Sequence, residues 1–570
     1  MVLYLNGTAI ATTTFTSNLN VSSSTNTCKI GETGAIGLRK FNGVIDEVKI
    51  WNNLRTATDI QNDMAESCAT YPINLIAYYK LNETSGTAIT AAQGLSGTLT
   101  GTLTSVAGAT LYNGLGTNTI MYVDSSNVSS CGRDGKTWAT AFGSLSDALD
   151  AAHNNPLIQK VYVAKGTYKP TRKPYNMDIN KKGVEMTTSF ARDVTFHMRA
   201  GIDLQGGFPM GGGTQNITVN KTILSGDIGV VANTTDNAYH VILADSSANW
   251  ATTGSIAKIN GFTIRDGNAN AGNTITVNGR TISANDGSGV RLSYGTSVVS
   301  NCIFISNNIA ILSLNTSNAT IKDNTLSNNT GIGIVGIAGS ISILNNLIIA
   351  NTGGGISLTN GTHRIQNNSI LNNISTSNGG GIFLSTTTST IVNNLFSGNQ
   401  AAAGGAIYIN YGTNTISNNT IYGNIGTGNA GGIYTYFGTN SISNTIFWGN
   451  KKGTSTSVAS ADYYSNSGVN TFKNCLMQLP VSNYTYTTSG TYHLGLAPGN
   501  NLTGNDPLFI NTANIVGADG ICGTNDDGLR LKSFSPVLDK GSNALIPSGV
   551  TTDITGANRI QNTTVDMGAY

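Results

Sequence analysis

One phrase recurs through the second half of this chain and restricts its folding more than any other feature. "ISNNTIYGN" begins at Ile416, "ISNTIFWGN" at Ile442 and "IVNNLFSGN" at Ile391; upstream stand "IQNNSILNN" at Ile365, "ILNNLIIAN" at Ile343, "IKDNTLSNN" at Ile321 and "VSNCIFISN" at Val299. Successive starts lie 22, 22, 22, 26, 25 and 26 residues apart. A period of this length marks a solenoid, in which each unit packs only on its neighbours. Amphipathic helices do not fit within so short a period, whereas two or three short strands do.

Aligned on that period, the residues form columns. One reads Val290, Leu312, Ile334, Ile356, Ile382, Ile407, Ile433; two residues on stand Leu292, Leu314, Gly336, Leu358, Leu384, Ile409, Thr435. Alternation with period two predicts short strands with one face inward. A second inward column is Val299, Ile321, Ile343, Ile365, Ile391, Ile416, Ile442, and eight residues later comes Asn307, Asn329, Asn351, Asn373, Asn399, Asn424, Asn450. Asn tolerates left-handed backbone and bonds neighbouring backbone groups, so this ladder is expected at a turn. The chain is therefore all-β, a parallel β-helix, with regular rungs over 287–450 inside a coil spanning 120–500. "SLSDALDAAHNN" places Leu145, Ala148, Leu149 and Ala152 on one helix face behind Ser144 and Asp147, which predicts a capping helix over 144–154 for the open coil end. Residues 501–570 read as a C-terminal extension of the coil with an acidic loop.

Residues 1–105 have another texture: strands, a short helix near Ala57–Met64, then the uncharged Gly- and Thr-rich run 106–119 as a linker. The opening "MVLYLNGTAI" reads as strand and not as a secretory leader, which fits a piece of a longer chain. No run of about 18 uninterrupted apolar residues predicts a membrane span. A net charge of +2 with 11% charged residues offers no concentrated basic patch for nucleic acid. The six cysteines are far apart without a metal-ligand spacing. Cys28 and Cys68 are near enough in sequence to pair; Cys302 and Cys475, about seven rungs apart, are not.

Two resemblances extend this reading. "FNGVIDEVKIWNNLRTATDI" followed by "LIAYYKLNETSG" resembles the concanavalin-like laminin-G (LamG) jelly rolls of bacterial surface proteins, of which only the C-terminal part is present. From Met121 onward, "VYVAKGTYKPT", "TILSGDI", "INGFTIRDGNA", the "GADGICGTNDDGLRLKSFSPVLDKGS" run and "DMGAY" resemble right-handed parallel β-helix proteins of the pectate-lyase-like superfamily, specifically large, secreted, modular ones. The resemblance implies the handedness of the coil, a secreted or cell-surface location, and an extracellular polysaccharide or surface glycan as partner. Its members include lyases and hydrolases as well as adhesin-like proteins.

Catalysis by such a coil needs either a base beside calcium-holding carboxylates or a carboxylate pair roughly 5 to 10 Å apart. Between Ile259 and Asn450 the only acids are Asp266, Asp286 and Asp323. Asp323 stands in a column of Asn and reads as its substitute; Asp266 and Asp286 with Arg265 and Arg291 would form a small charged site. Denser titratable groups, Arg192, Asp193, Arg199, Asp203 and Asp227, fall in the irregular rungs before Ile259. The residue between the two inward ones reads Arg291, Ser313, Val335, Ser357, Phe383, Tyr408, Tyr434. Its last three rings, with Tyr436 and Trp448 nearby, suggest a platform for a glycan, since rungs about 4.8 Å apart nearly match a sugar unit. The competing reading is that the rings stack on one another and stiffen the sheet. Asp519, Asp526 and Asp527 in "GADGICGTNDDG" offer oxygen ligands for calcium, or else a solvated turn. Thr and Ser do not read as a regular Thr-x-Thr column, which argues against ice binding. The functional expectation is a non-catalytic adhesin-like or glycan-binding protein, with a polysaccharide lyase or glycoside hydrolase as the rival and a structural stalk as the third possibility.

Overall fold

The computed structural model describes residues 119–570 except 128–132, 134, 155–156, 178–182, 187, 189, 246–255, 294, 457–460 and 480–499; before 119 it describes only residues 2–5, 8–12, 48–51, 55, 59–60, 75–79, 88–89, 91–93 and 97–98. The expected Cys28–Cys68 pair, the helix near Ala57–Met64 and the 106–119 linker lie wholly or largely outside those residues. The chain divides into two units, Met1–Gly143 and Ser144–Tyr570. In the first, every described strand pair outside the bridge Val123–Phe142 is antiparallel: Val2–Leu5 with Thr8–Thr12, Val48–Trp51 with Leu75–Tyr79, the latter with Ala91–Gln93, and Ala88–Ile89 with Gly97–Thr98.

The second unit opens with the helix Leu145–Asn154. Ser144 Oγ accepts the Asp147 N–H and so caps it, and Leu145, Ala148, Leu149 and Ala152 are buried. Arg199 closes the other end: its guanidinium donates to the carbonyls of Ala152, Ile158 and Ala200. Thereafter the chain coils, and like strands of successive rungs pair in parallel. One face is a twelve-stranded sheet of three- or four-residue strands for most of its length, running from Gly166–Tyr168 to Leu502–Thr503. The other is built from long strands such as Ile356–Gln366, Ile382–Val392 and Ile407–Ser417. Each long strand bends once where the backbone turns to positive φ, at Asn360–Gly361, Thr386 and Tyr411–Gly412 respectively. It therefore presents two outward faces meeting at a corner.

The inward aliphatic columns are buried as the alternation requires, with Ile334, Ile365, Ile382, Ile391, Ile407, Ile416, Ile433 and Ile442 at 0% exposure. Each fully buried aliphatic is worth about 1.5–3 kcal/mol over its exposed state. The first expected column needs one correction. Ile311, not Leu312, aligns with Val290 and Ile334, so Leu312 and Leu314 move to the other face and Ser313 turns inward. The turn after Asn307 is one residue shorter here than the turn after Asn329, and a one-residue slip exchanges every side chain between faces.

The Asn ladder has a role different from the one expected. Its members are 0% exposed and do not adopt left-handed backbone; the residue before each does, namely Ser306, Asn328, Ala350, Asn372, Gly398, Gly423 and Gly449. Each ladder amide instead links rungs. Asn351 donates from Nδ2 to Leu326 O (3.0 Å) and to Asn373 Oδ1 (2.8 Å), while that same oxygen accepts the Asn351 backbone N–H (3.1 Å). The column ends where Asn450 donates to the buried Asp462 carboxylate. A second amide ladder, absent from the expectations, runs Asn324, Asn346, Asn368, Asn394, Asn419 with the same bonds. The residue before each of these is left-handed: Asp323, Asn345, Asn367, Asn393, Asn418. Asp323 thus stands in its column as an Asn substitute.

Residues 505–570 do not extend the coil. They form a turn-rich run folded back along the twelve-stranded sheet, whose outward side chains in the late rungs are apolar. Leu371, Leu395, Ile446 and Leu476 pack there against Phe509, Leu529, Val537, Met567 and Ala569. The left-handed Asn residues of the adjoining corner hold the run: Asn393 donates to Thr552 O, Asn418 to Asp566 O, Asn444 to Ser542 O and Asn474 to Lys540 O.

Candidate functional site

The first outward column of the long-strand sheet, followed by strand register, is His197, Leu243, Arg291, Leu312, Val335, Ser357, Phe383, Tyr408, Tyr434, Tyr464. Its beginning is roofed. The hairpin of Thr274–Val277 and Arg280–Ser283 lays Val277 and Ile282 on Leu243, and Tyr175 and His153 lie against His197. Phe383, Tyr408, Tyr434 and Tyr464 are half-buried.

These four rings form one continuous stack. Successive centroids are 5.5, 5.0 and 5.2 Å apart with interplanar angles of 4°, 6° and 20°. Register imposes this, because residues on paired parallel strands are held about 4.8 Å apart and leave a flat ring little choice but to lie on the next. Tyr464 was missed by sequence alignment, since a longer connection sets it 30 residues after Tyr434 while neighbouring rungs repeat at 25 or 26. Its signal was the alternation in Tyr463–Ser465. Burial and neighbouring phenols push the Tyr434 hydroxyl up to about 12, so it stays protonated at neutral pH.

The stack corrects one feature of the platform idea. Ring faces within it are occupied by other rings, so the column presents ring edges and phenol oxygens outward. At the corner, Tyr411 and Phe437 form a second stack (4.9 Å, 7°). Tyr436 differs: its ring stands at 88° to Phe437 and 82° to Tyr411. Among the rings whose angles to this corner stack are described, it alone has its plane turned along the coil axis.

Beyond the corner, two hydroxyl columns continue the surface. Thr362, Thr388, Thr413 and Thr439 align and are exposed, and Thr390, Thr415, Ser441 and Thr471 align two residues on. This corrects the expectation that no Thr-x-Thr register exists. Between them the inward amides Asn414, Asn440 and Asn470 form a third ladder, 3.0 and 2.8 Å per step. From Gln366 to Asn450 the chain contains no Asp, Glu, Lys, Arg or His, so the rungs carrying most of these rings and hydroxyls contribute no charged side chain.

Trp448 does not join this surface. It lies on the twelve-stranded sheet beside Tyr422, partly buried against the C-terminal run. The acidic loop turns its carboxylates onto its own backbone. Asp526 accepts from Ala518 N (2.6 Å), Asp519 N (3.1 Å) and the Thr524 hydroxyl (2.7 Å), and Asp519 accepts from Ile521 N. Asp527 is buried and accepts from Gly523 N, Thr524 N and Tyr570 OH (2.8 Å); burial raises its carboxyl, while the Thr524 hydroxyl lowers that of Asp526. Among the described residues no group of three or more His, Cys, Asp or Glu side chains is placed to hold a metal.

The titratable residues of the early rungs are engaged separately. Arg192 donates to Asn237 O and Asn268 O and lies 4.2 Å from the Tyr239 ring centroid. Asp227 pairs with Lys169 at 3.6 Å, and Asp203 accepts from Gln205. Asp193 is buried in the short 3-10 turn Ala191–Asp193. Arg265 pairs with Asp266 (2.6 Å), and the buried Arg291 with Asp286 (2.9 Å), beside His240, which bonds Gly287 O. His197 Nδ1 accepts the Tyr175 N–H at 2.9 Å, which sets its neutral tautomer, and burial lowers its pKa to about 3. Cys302 and Cys475 are both buried free thiols, raised to about 12 by burial.

The family comparisons agree with the fold. Residues 206–396 match the family described as right handed beta helix region, and residues 1–61 match the concanavalin A-like lectin/glucanases superfamily. Among solved structures the chain is similar to the crystal structure of pectate lyase Pel9A, at 14% identity and a TM-score of 0.35, covering 79% of this chain and 96% of that one. No curated protein matches the sequence. Residues 206–396 are thus a right-handed β-helix region, preceded at the N-terminus by a concanavalin-like segment.

Proposed function

We propose that this chain is a carbohydrate-binding, non-catalytic β-helix of a secreted or cell-surface protein, its lateral face serving as the binding surface and its coil as the stiff support. The observation that carries this reading is the joined ring-and-hydroxyl surface of rungs 382–441, on chain that lacks any charged residue. Rings supply apolar area with a polar handle, hydroxyls supply hydrogen bonds, and sugars demand both. Lyase or hydrolase chemistry would require paired carboxylates or a base near calcium, and the acids of the early rungs are engaged locally: Asp227 with Lys169, Asp266 with Arg265, Asp286 with Arg291, and Asp147 and Glu185 both with Arg172. The concanavalin-like segment, whose superfamily description names lectins and glucanases alike, supports the carbohydrate-binding part of this reading.

Native affinity electrophoresis through gels of neutral and acidic polysaccharides tests it, with the recovered polymer assayed for new reducing ends and unsaturated products. Retarded migration with intact polymer is the expected result. Shortened polymer overturns the non-catalytic reading, and unretarded migration in every gel leaves the coil as a stalk.

A further inference from the structure

Three properties of the lateral face select among glycans, and the selection rests on the binding role proposed above. The first is charge. Uronate-rich polymers carry one carboxylate per acidic sugar, and desolvating them needs cations. Rungs 382–441 themselves contribute none, the chain being free of Lys and Arg from Gln366 to Asn450.

The second is period. The stacked rings advance 5.5, 5.0 and 5.2 Å per rung, and the Thr columns share that register. Only an extended polymer running parallel to the coil axis, with roughly one sugar per rung, meets an equivalent set of groups at each step. A coiled or branched glycan falls out of step after one or two.

The third is ring orientation. A sugar stacks on a ring whose face looks outward. The Phe383–Tyr464 stack and the Tyr411–Phe437 stack direct their faces along the axis, toward each other. Tyr436, turned by 82° and 88° from the corner rings, holds its plane along the axis. It is half-buried and stands two residues after Tyr434, just past the end of the strand Ile433–Thr435.

We propose that the ligand of this face is an uncharged, extended polysaccharide lying along the coil axis, with one sugar seated on Tyr436 and its neighbours hydrogen-bonded by the phenol edges of Tyr408, Tyr434 and Tyr464 and by Thr413 and Thr439. Tyr436 is the specificity-determining ring; the stacks set the spacing.

Calorimetric titration of the full chain with cello-, xylo- and manno-oligosaccharide series, and with oligogalacturonates of matching lengths, tests this. At least one neutral series is expected to bind, with affinity that rises with length and levels off once the ligand spans the four stacked rings. Oligogalacturonates are expected to bind at least about tenfold more weakly, and added salt to leave neutral binding unchanged. Tyr436→Ala should lose about tenfold in affinity, whereas Tyr436→Phe, which keeps the ring face, should lose less than about threefold. An unchanged unfolding midpoint for the Ala variant separates lost binding from lost fold. Tighter binding of oligogalacturonate than of every neutral series, or neutral binding indifferent to Tyr436→Ala, overturns this inference and leaves the carbohydrate-binding reading standing. No binding of either kind overturns both.

Discussion

The regular rungs from Ile311 to Asn450 and the early rungs from Lys160 to Val290 build the same coil by different means. In the regular rungs, repetition does the work: amide ladders satisfy each other from rung to rung, and from Gln366 to Asn450 no charge is used. In the early rungs, where connections are long and irregular, no ladder can propagate. Individual polar groups close the gaps: Arg199 against the helix end, Arg192 across two loops, His197 under Tyr175, His240 on Gly287. A repeating sequence satisfies buried polar groups with neutral side chains in a column, while a non-repeating one needs long or titratable side chains that reach. The early rungs therefore hold most of the coil's pH-sensitive groups, His363 being the buried histidine of the regular rungs, and the rungs after it are the part most sensitive to a single neutral substitution.

The largest effect should come from breaking a ladder. Asn373→Leu removes the acceptor of Asn351 and the donors to Ile348 O and Asn399 Oδ1, and should lower stability by about 3–5 kcal/mol in chemical denaturation. A loss below about 1 kcal/mol would mean that packing, not the amides, holds these rungs.

Next in size is the seam between coil and C-terminal run. Met567→Ala removes a fully buried side chain and should cost about 2–4 kcal/mol, seen as faster proteolytic release of residues 505–570 with the regular rungs still protected. If the whole coil unfolds together with the run, the two regions are a single cooperative unit.

The third prediction separates early from regular rungs by pH. Folding lowers His197 to about 3 and His240 to about 4 from an ordinary value near 6.5. Between those values the unfolded chain binds more protons, so stability is full above about pH 6.5 and falls as pH drops toward the folded values. Hydrogen exchange at about pH 7 and about pH 4.5, corrected for intrinsic rates, should show lost protection at residues 196–245 and little change at 382–450, which lie beyond His363, the buried histidine of the regular rungs that burial also lowers. His197→Gln should weaken the early-rung response, His240 keeping its share; equal loss in both regions would erase the distinction.

The smallest effect belongs to the ring stack. Tyr408→Ala interrupts it between Phe383 and Tyr434 and should cost about 1 kcal/mol in thermal unfolding. A cost near that of Asn373→Leu would make the stack a main structural support.

Much of the coil was legible in the chain because parallel stacking turns a fold into a period. Ile391, Ile416 and Ile442 could be placed in the core by counting alone. Asn399 and Asn424 could be placed at a turn, but counting suggested left-handed backbone where the structure uses buried amides, since both uses produce the same column. The site was legible only in part. Phe383, Tyr408 and Tyr434 fall in register, whereas Tyr464 hides behind a long connection and Trp448, close in sequence, belongs to another sheet. Asp519, Asp526 and Asp527 are conspicuous as acids, yet which oxygens their own loop occupies depends on how that loop folds.

By itself the sequence determined the rung length, the inward aliphatic columns and the charge-free character of the later rungs, because each is a property of spacing or composition that every parallel stacking preserves. Tertiary structure alone decided the one-residue slip at Ile311–Ser313, the turned ring of Tyr436 and the seat of residues 505–570. Those depend on turn length, side-chain torsion and contact between segments distant in the chain, and none of the three repeats with the period.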